Sequence, residues 1–166
     1  MSKVVHGIYL LLGANLGDPP QTFQKVRQMM LPSISISRVS ELYITAPWKM
    51  SSENLFFNQV LEIETDLGPQ ELLSTILSIE KDIGRQRGES VGYEDRLIDI
   101  DILLYRDLIL TSENLNIPQK NLELRAFALK PLLDINPDLI DPRTQLPFAG
   151  YMKALSDNLA QIKKYK

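Results

Sequence analysis

Two hydrophobic periods alternate along this chain. Residues 7–13, Gly-Ile-Tyr-Leu-Leu-Leu-Gly, form an apolar run bounded by glycines and predict a buried strand. Asp18-Pro19-Pro20 reads as a helix start, with Phe23, Val26, Met29 and Met30 at helical spacing and Pro32 as the stop. Residues 34–43 alternate through Ile34, Ile36 and Val39 and predict a second strand. A third is predicted over 55–65, through Leu55, Phe57, Val60, Leu61 and Ile63. Leu67-Gly68-Pro69 is a turn opening a helix, whose stripe (Leu72, Leu73, Ile76, Leu77, Ile79, Ile83) ends at Gly84. Residues 97–105 alternate polar and apolar as a fourth strand. Beyond them the pattern predicts a small hairpin from 108–110 and 115–117, then a helix around Phe127, Leu129, Leu132 and Leu133 closed by Asn136-Pro137. A final helix is predicted over 148–162.

The order strand, helix, strand, strand, helix, strand, with additions after it, fits the split βαβ, ferredoxin-like arrangement. That is an α+β fold: a βαββαβ antiparallel sheet with helices on one face and C-terminal additions. No internal repeat or long linker divides the chain, so residues 1–166 are expected to form a single domain. A chain of this length can bury roughly 70% of its unfolded surface.

Composition narrows the chemistry. The absence of cysteine excludes a disulfide scaffold, a thiolate nucleophile and Cys-ligated zinc or iron–sulfur sites, and one histidine, His6, excludes a multi-histidine metal site. A net charge of −3 argues against a nucleic-acid binder, which usually shows a basic face. No segment approaches the ~18 uninterrupted apolar residues of a membrane helix, and the first residues are too few and too polar for a signal peptide. The expectation is a cytoplasmic protein without membrane or nucleic-acid partners. The basic tail Lys163-Lys164-Tyr165-Lys166 reads as a solvated, frayed terminus.

The most informative stretch is Asp95-Arg96-Leu97-Ile98-Asp99-Ile100-Asp101-Ile102. On a strand, Asp99 and Asp101 project to one face and Ile98, Ile100 and Ile102 to the other. Two adjacent carboxylates repel unless a cation lies between them, and magnesium is typically held by one or two carboxylates together with substrate phosphates. A solvent-facing sheet edge would also tolerate such residues, although Asp is disfavoured in strands. Upstream, residues 84–96 carry three glycines and the arginines Arg85, Arg87 and Arg96, and describe a mobile loop. Arginine's planar fork matches phosphate oxygens, and carboxylates beside arginines suit phosphoryl-type transfer. Taken alone, each arginine could also pair with a surface acid, the less favoured reading. No Gly-Lys-Ser/Thr completes a P-loop, and Gly13-Ala14-Asn15-Leu16-Gly17-Asp18 lacks the dinucleotide fingerprint, so its glycines read as turn formers with backbone close to something.

Together these segments resemble the 6-hydroxymethyl-7,8-dihydropterin pyrophosphokinase family of folate biosynthesis. The resemblance runs from Ile8 to Ile140: Gly13-Ala14-Asn15-Leu16-Gly17, Tyr43-Ile44-Thr45-Ala46-Pro47, Phe56-Phe57-Asn58, Ile79-Glu80 through Gly84-Arg85, and Arg96-Leu97-Ile98-Asp99-Ile100-Asp101 follow the family's motifs in order. It implies transfer of the terminal diphosphate of ATP to the pterin hydroxymethyl group with release of AMP. Asp99 and Asp101 would hold two magnesium ions, and Arg85 and Arg96 would act catalytically on the phosphates. ATP would also meet Glu80, Arg87, Tyr93, Ile102, Gln119 and Arg125. The pterin would lie between Phe56 and Phe127, with Asn58 and the backbone around Thr45 and Pro47 at its edge. Without the resemblance, Phe56 and Phe127 read more readily as core residues. A monomer able to associate with other folate enzymes is expected.

The chain departs from the family pattern at three places. Tyr93-Glu94-Asp95-Arg96 stands where Trp-Gly-Pro-Arg is common, in a loop one residue longer. Pro118-Gln119 replaces Pro-His, exchanging an imidazole for an uncharged amide that still donates a hydrogen bond. Asn114 stands where some members carry Arg. Two other readings stay open: a magnesium-dependent nucleotide enzyme with a different acceptor, which would bind no pterin, and a catalytically silent binding module, which would show no turnover.

Overall fold

The computed structural model of the chain describes residues 7–45, 55–84, 97–155 and 161–165. Strand β1 (Ile8–Ala14) is buried along its whole length. It runs antiparallel to two later strands and lies between them, β4 (Phe56–Thr65) on one side and β5 (Asp99–Tyr105) on the other. The far edge of β4 carries β2 (Ile34–Val39) and then β3 (Tyr43–Thr45), and β8 (Ile162–Lys164) pairs with β3. Counting β2 and β3 as one interrupted strand, the path β5, β1, β4, β3 is the ferredoxin-like order expected from the sequence, extended by β8. A separate ribbon joins β6 (Leu110–Thr111) to β7 (Asn116–Ile117), slightly inside the expected hairpin.

The helices α1 (Pro19–Met30) and α2 (Pro69–Ile83) start and stop on the signals read from the sequence. The side chain of Asp18 accepts from the Gln21 N–H at the start of α1. Gly84 closes α2 in the left-handed region, φ 107°, and its N–H reaches the Lys81 carbonyl. Phe23, Val26, Leu72 and Ile76 from these helices meet Leu10, Leu12, Leu61, Ile63 and Ile100 on one face of the sheet, called the upper face here.

Three expectations change. The helices cover both faces: α3 (Ala126–Ile135) and α4 (Phe148–Ala154) bury Tyr9, Leu11, Val60 and Leu103 on the lower face. This explains why β1 reads as an unbroken apolar run instead of an alternation. The second strand is interrupted at Ser40, whose N–H donates to the Val60 carbonyl at 2.9 Å while its Oγ accepts the Val60 N–H at 2.9 Å. A side-chain oxygen thus replaces a ladder carbonyl and turns the chain into β3. Lastly, α4 ends at Ala154, so Ile162 is not helical, and the expected frayed tail is an edge strand with the Tyr165 N–H donating to the Leu42 carbonyl at 2.7 Å. The open edge of β3 gives this alternating segment a ladder to join.

The 139–155 segment is pinned by Asp141, which is 0% exposed. Its carboxylate accepts from the backbone N–H, Nε and NH2 of Arg143 and from the Tyr151 hydroxyl, and Arg143 also reaches Glu123 at 2.9 Å. Burial pushes the Asp141 carboxyl upward, but the Arg143 and Tyr151 bonds outweigh it and hold it below the ordinary range. A group so depressed contributes fully above its unfolded pKa of about 3.9 and loses that contribution as pH falls through the lower native value. Asp141→Asn is therefore expected to cost about 3 kcal/mol at pH 7. It should also flatten the acid limb of a plot of urea midpoint against pH; an unchanged midpoint and limb would refute the role given to this network.

Candidate functional site

The registers of the sheet bring the expected site residues into a transverse row. Gly13 of β1 lies opposite Asp99 of β5 on one side and Asn58 of β4 on the other. Asn58 in turn pairs with Tyr43 of β3, and Tyr43 with Lys164 of β8. Residues in such a row share a face, and two positions along each strand the same face carries Asp101, Thr45 and Phe56. At a rise of about 3.3 Å per residue, Asp99 and Asp101 have Cα atoms roughly 6.6 Å apart, and two strand spacings of about 4.8 Å separate Asp99 from Asn58.

Gly13 stands between them without a side chain. A Cβ there would lie 3.0 Å from Phe56 Cε1 and 3.3 Å from Asn58 Oδ1, so the Phe56 ring leans over the position that glycine leaves open. The sequence reading made Gly13 a turn former. It lies inside β1, and the left-handed turn belongs to Gly17, φ 66°. A glycine within a strand pattern is the signal for such close approach.

The outer edge of β5 gathers a second group. Glu80, 2% exposed on α2, accepts the Ile100 N–H at 3.1 Å. The Gln119 N–H donates to the Leu103 carbonyl at 2.9 Å. Residues two apart turn their backbone groups to the same edge, so the backbone of Ile102 lies between these two anchors. Its side chain is buried in the upper-face core. The Gln119 Oε1 is buried with no hydrogen-bond partner among the described residues. Three of the residues expected at the nucleotide, Glu80, Ile102 and Gln119, therefore meet along one strand edge.

Helix α3 contributes the far wall. Lys130 and Asp134 both engage Tyr43: the Tyr43 hydroxyl donates to Asp134 Oδ2, and Lys130 Nζ lies 5.8 Å from the ring centroid. Burial first, then the Asp134 carboxylate, pushes the Tyr43 hydroxyl pKa upward. Phe127 lies one turn before Lys130 on the same helix face, half-buried against the lower-face cluster. Arg125 is half-buried at the N-cap position of α3. The sequence motif Tyr43-Ile44-Thr45-Ala46-Pro47 includes Tyr43 without giving it a role, and Lys130 and Asp134, which hold it, escape sequence reasoning because only the fold brings α3 onto β3.

The remaining expected residues, Pro47, Arg85, Arg87, Tyr93 and Arg96, lie outside the described residues, as does the loop read as mobile. Among the described residues no cluster of three or more His, Asp or Glu could hold a metal. A carboxylate pair with waters and substrate oxygens completing the shell is the donor set that suits magnesium, and Asp99 and Asp101 fit that description.

The fold and this face define a class: ferredoxin-like α+β domains that present a carboxylate pair and an aromatic–amide cluster side by side. Residues 9–137 match the 7,8-dihydro-6-hydroxymethylpterin-pyrophosphokinase (HPPK) family, and the chain belongs to that family. It is 38% identical over 144 residues to the 2-amino-4-hydroxy-6-hydroxymethyldihydropteridine pyrophosphokinase of Aquifex aeolicus, covering 87% of this chain and 89% of that protein. It is 36% identical over 152 residues to the folic acid synthesis protein fol1 of Pneumocystis carinii, covering 91% of this chain but only 20% of that longer protein. The fold matches a crystal structure of Plasmodium falciparum HPPK-DHPS with pteroate at a TM-score of 0.74 and 14% identity, over 93% of this chain and 43% of that one.

The Glu80 bond to an edge amide is testable apart from any ligand. Glu80→Ala is expected to cost about 1–3 kcal/mol, because it leaves a buried donor unsatisfied. Amide exchange at Ile100 should accelerate in step; protection of Ile100 unchanged in the variant would show that the carboxylate does not hold the edge.

Proposed function

We propose that this chain transfers diphosphate from ATP to 6-hydroxymethyl-7,8-dihydropterin, giving AMP and the pterin diphosphate ester in folate biosynthesis. Family membership supports this reading, as does close similarity to a relative named for the reaction. The observation that carries it is the row in which Asp99 and Asn58 flank a bare Gly13 on one sheet face. A flat heterocycle needs apolar faces and a few edge donors and acceptors. Phe56 and Phe127 supply the faces, and Asn58, with backbone near Thr45 and Pro47, the edge.

Asp99 and Asp101 hold two magnesium ions, which supply charge neutralisation on the transferring phosphates. The pterin hydroxymethyl oxygen attacks the β-phosphorus and releases its proton to water. The bond from that phosphorus to the α–β bridging oxygen breaks, and AMP leaves with the electron pair. Such a transfer is mostly positioning and electrostatics. Arg85 and Arg96 meet the phosphates, with Arg87, Tyr93 and Arg125 around them, and Glu80, Ile102 and Gln119 border the nucleotide. The proposal extends to residues 1–166 acting as one domain and as a monomer in the cytoplasm. Relatives in which an HPPK region is part of a longer folate-synthesis protein support association with other folate enzymes. Among the described residues no helix is long and apolar enough to cross a membrane.

The decisive measurement is a coupled assay for AMP release from ATP in the presence of the pterin. Asp99→Ala and Asp101→Ala should each abolish it while keeping the parent circular dichroism and melting transition; full turnover in both variants would overturn the assignment. A second prediction concerns Gln119 Oε1, which has no hydrogen-bond partner among the described residues. Gln119→His puts a group that titrates near pH 6.5 beside the nucleotide, so a non-hydrolysable ATP analogue should bind about three- to tenfold tighter at pH 6, the gain fading by pH 8. Identical affinities across that range would remove Gln119 from the nucleotide edge.

A further inference from the structure

Strand β3 carries the outermost part of the proposed pterin edge, and it is three residues long. A strand this short is marginal unless both of its edges are paired. One edge is taken by β4, through Tyr43 with Asn58, Ile44 with Phe57 and Thr45 with Phe56. The other is taken in register by β8, through Tyr43 with Lys164, Ile44 with Lys163 and Thr45 with Ile162.

Contacts on both faces and beyond the strand extend this pairing. The Tyr165 N–H donates to the Leu42 carbonyl at 2.7 Å, adding one rung. The Tyr165 ring meets Phe57 edge-on, with centroids 5.3 Å apart, and so braces the upper side of the residue next to Phe56. On the lower side Ile162, opposite Thr45, packs against the same apolar cluster as Phe127.

We infer that β8, with Tyr165, is a positioning element for pterin binding: it holds Thr45 and the Phe56–Asn58 stretch in their geometry without touching the substrate itself. The inference rests on the proposed function and locates the support for its acceptor half. The nucleotide half, along the outer edge of β5, lies at the opposite side of the sheet from β8. Loss of β8 therefore affects the two substrates unequally.

The test compares the full chain with one ended after Gln161, using pterin binding by fluorescence, binding of a non-hydrolysable ATP analogue by calorimetry, and steady-state kinetics. The expected result is a pterin Kd and pterin KM raised at least about tenfold, since loss of positioning by an ångström is enough for effects of that size. The analogue should bind within about twofold of the parent, and kcat at saturating pterin should change far less than KM. If the shortened chain does not fold, Lys163→Pro in the full chain carries the same comparison. Tyr165 donates to Leu42, so by antiparallel alternation Lys163 is the next β8 residue whose N–H serves β3. Pterin affinity within twofold of the parent in a folded variant overturns the inference, as does an equal loss for both ligands. A full chain that binds no pterin at all overturns the proposed function instead.

Discussion

β1 is hydrogen-bonded along both edges and buried on both faces, so its register against β4 and β5 has no freedom to adjust. A slip of one residue would turn every upper-face side chain to the lower face and every lower-face one to the upper. The leucines at 10 and 12 would leave the upper core, and Gly13 would no longer separate Asp99 from Asn58. The geometry of the site is thus a by-product of packing. Hydrophobic burial sets the register, and the register sets the distance between the carboxylates and the aromatic–amide cluster. No loop flexibility enters this part of the arrangement.

The wall opposite the sheet depends on polar groups. Two charged networks that differ in kind act at the C-terminal end of α3 and on the turn that precedes it. At its C-terminal end Arg38 donates to the Ile135 carbonyl at 2.8 Å while forming a forked pair with Glu62, which also accepts from the Tyr9 hydroxyl at 2.7 Å. The Arg38 bonds hold the Glu62 carboxyl below its usual range, and burial pushes the Tyr9 hydroxyl up to about 12. Arg38 itself is half exposed, so its Coulomb energy with Glu62 is small. Its contribution is geometric: one guanidinium satisfies a helix carbonyl and a sheet carboxylate together. At the N-terminal side, Glu123 is tied through Arg143 to the buried Asp141, two residues before Arg125 and four before Phe127. The C-terminal end of α3 is therefore tied to the sheet through Arg38, and the turn before α3 is tied to the 139–155 segment through Arg143.

Features set by neighbours in the chain were legible in the sequence. Asp18 and Gly84 mark helix ends because caps are local, and Asp99 and Asp101 share a face because period two is a property of any strand. The parts not legible depend on partners far away in sequence. Ser40 breaks its strand by bonding Val60, a contact no periodicity encodes. The segment Ile162–Lys164 forms a strand because β3 offers an open edge, whereas its composition alone looks like a solvated tail. The helices α3 and α4 were legible as elements but not as a second layer, because a run of buried residues in β1 is compatible with one covered face or two until they are seen on it. Gly13 shows both sides: its residue type signalled close approach, and only the register identified what approaches.

β5 shows how an acidic chain can suit an anionic substrate. Its upper-face isoleucines anchor it in the core, its lower face carries the two aspartates, and its outer edge directs backbone groups away from the sheet. An uncovered strand edge is a template for unwanted pairing. Here Glu80 and the Gln119 backbone occupy part of that edge. On the proposed reading the groups that blunt the edge also border the nucleotide, so protection against pairing and recognition of substrate draw on the same residues. The net charge of −3 is then no obstacle. Carboxylates matched to a divalent cation make the site attractive to a metal-bound polyphosphate, whatever the sign of the whole surface, because screening confines each charge to within about 10 Å.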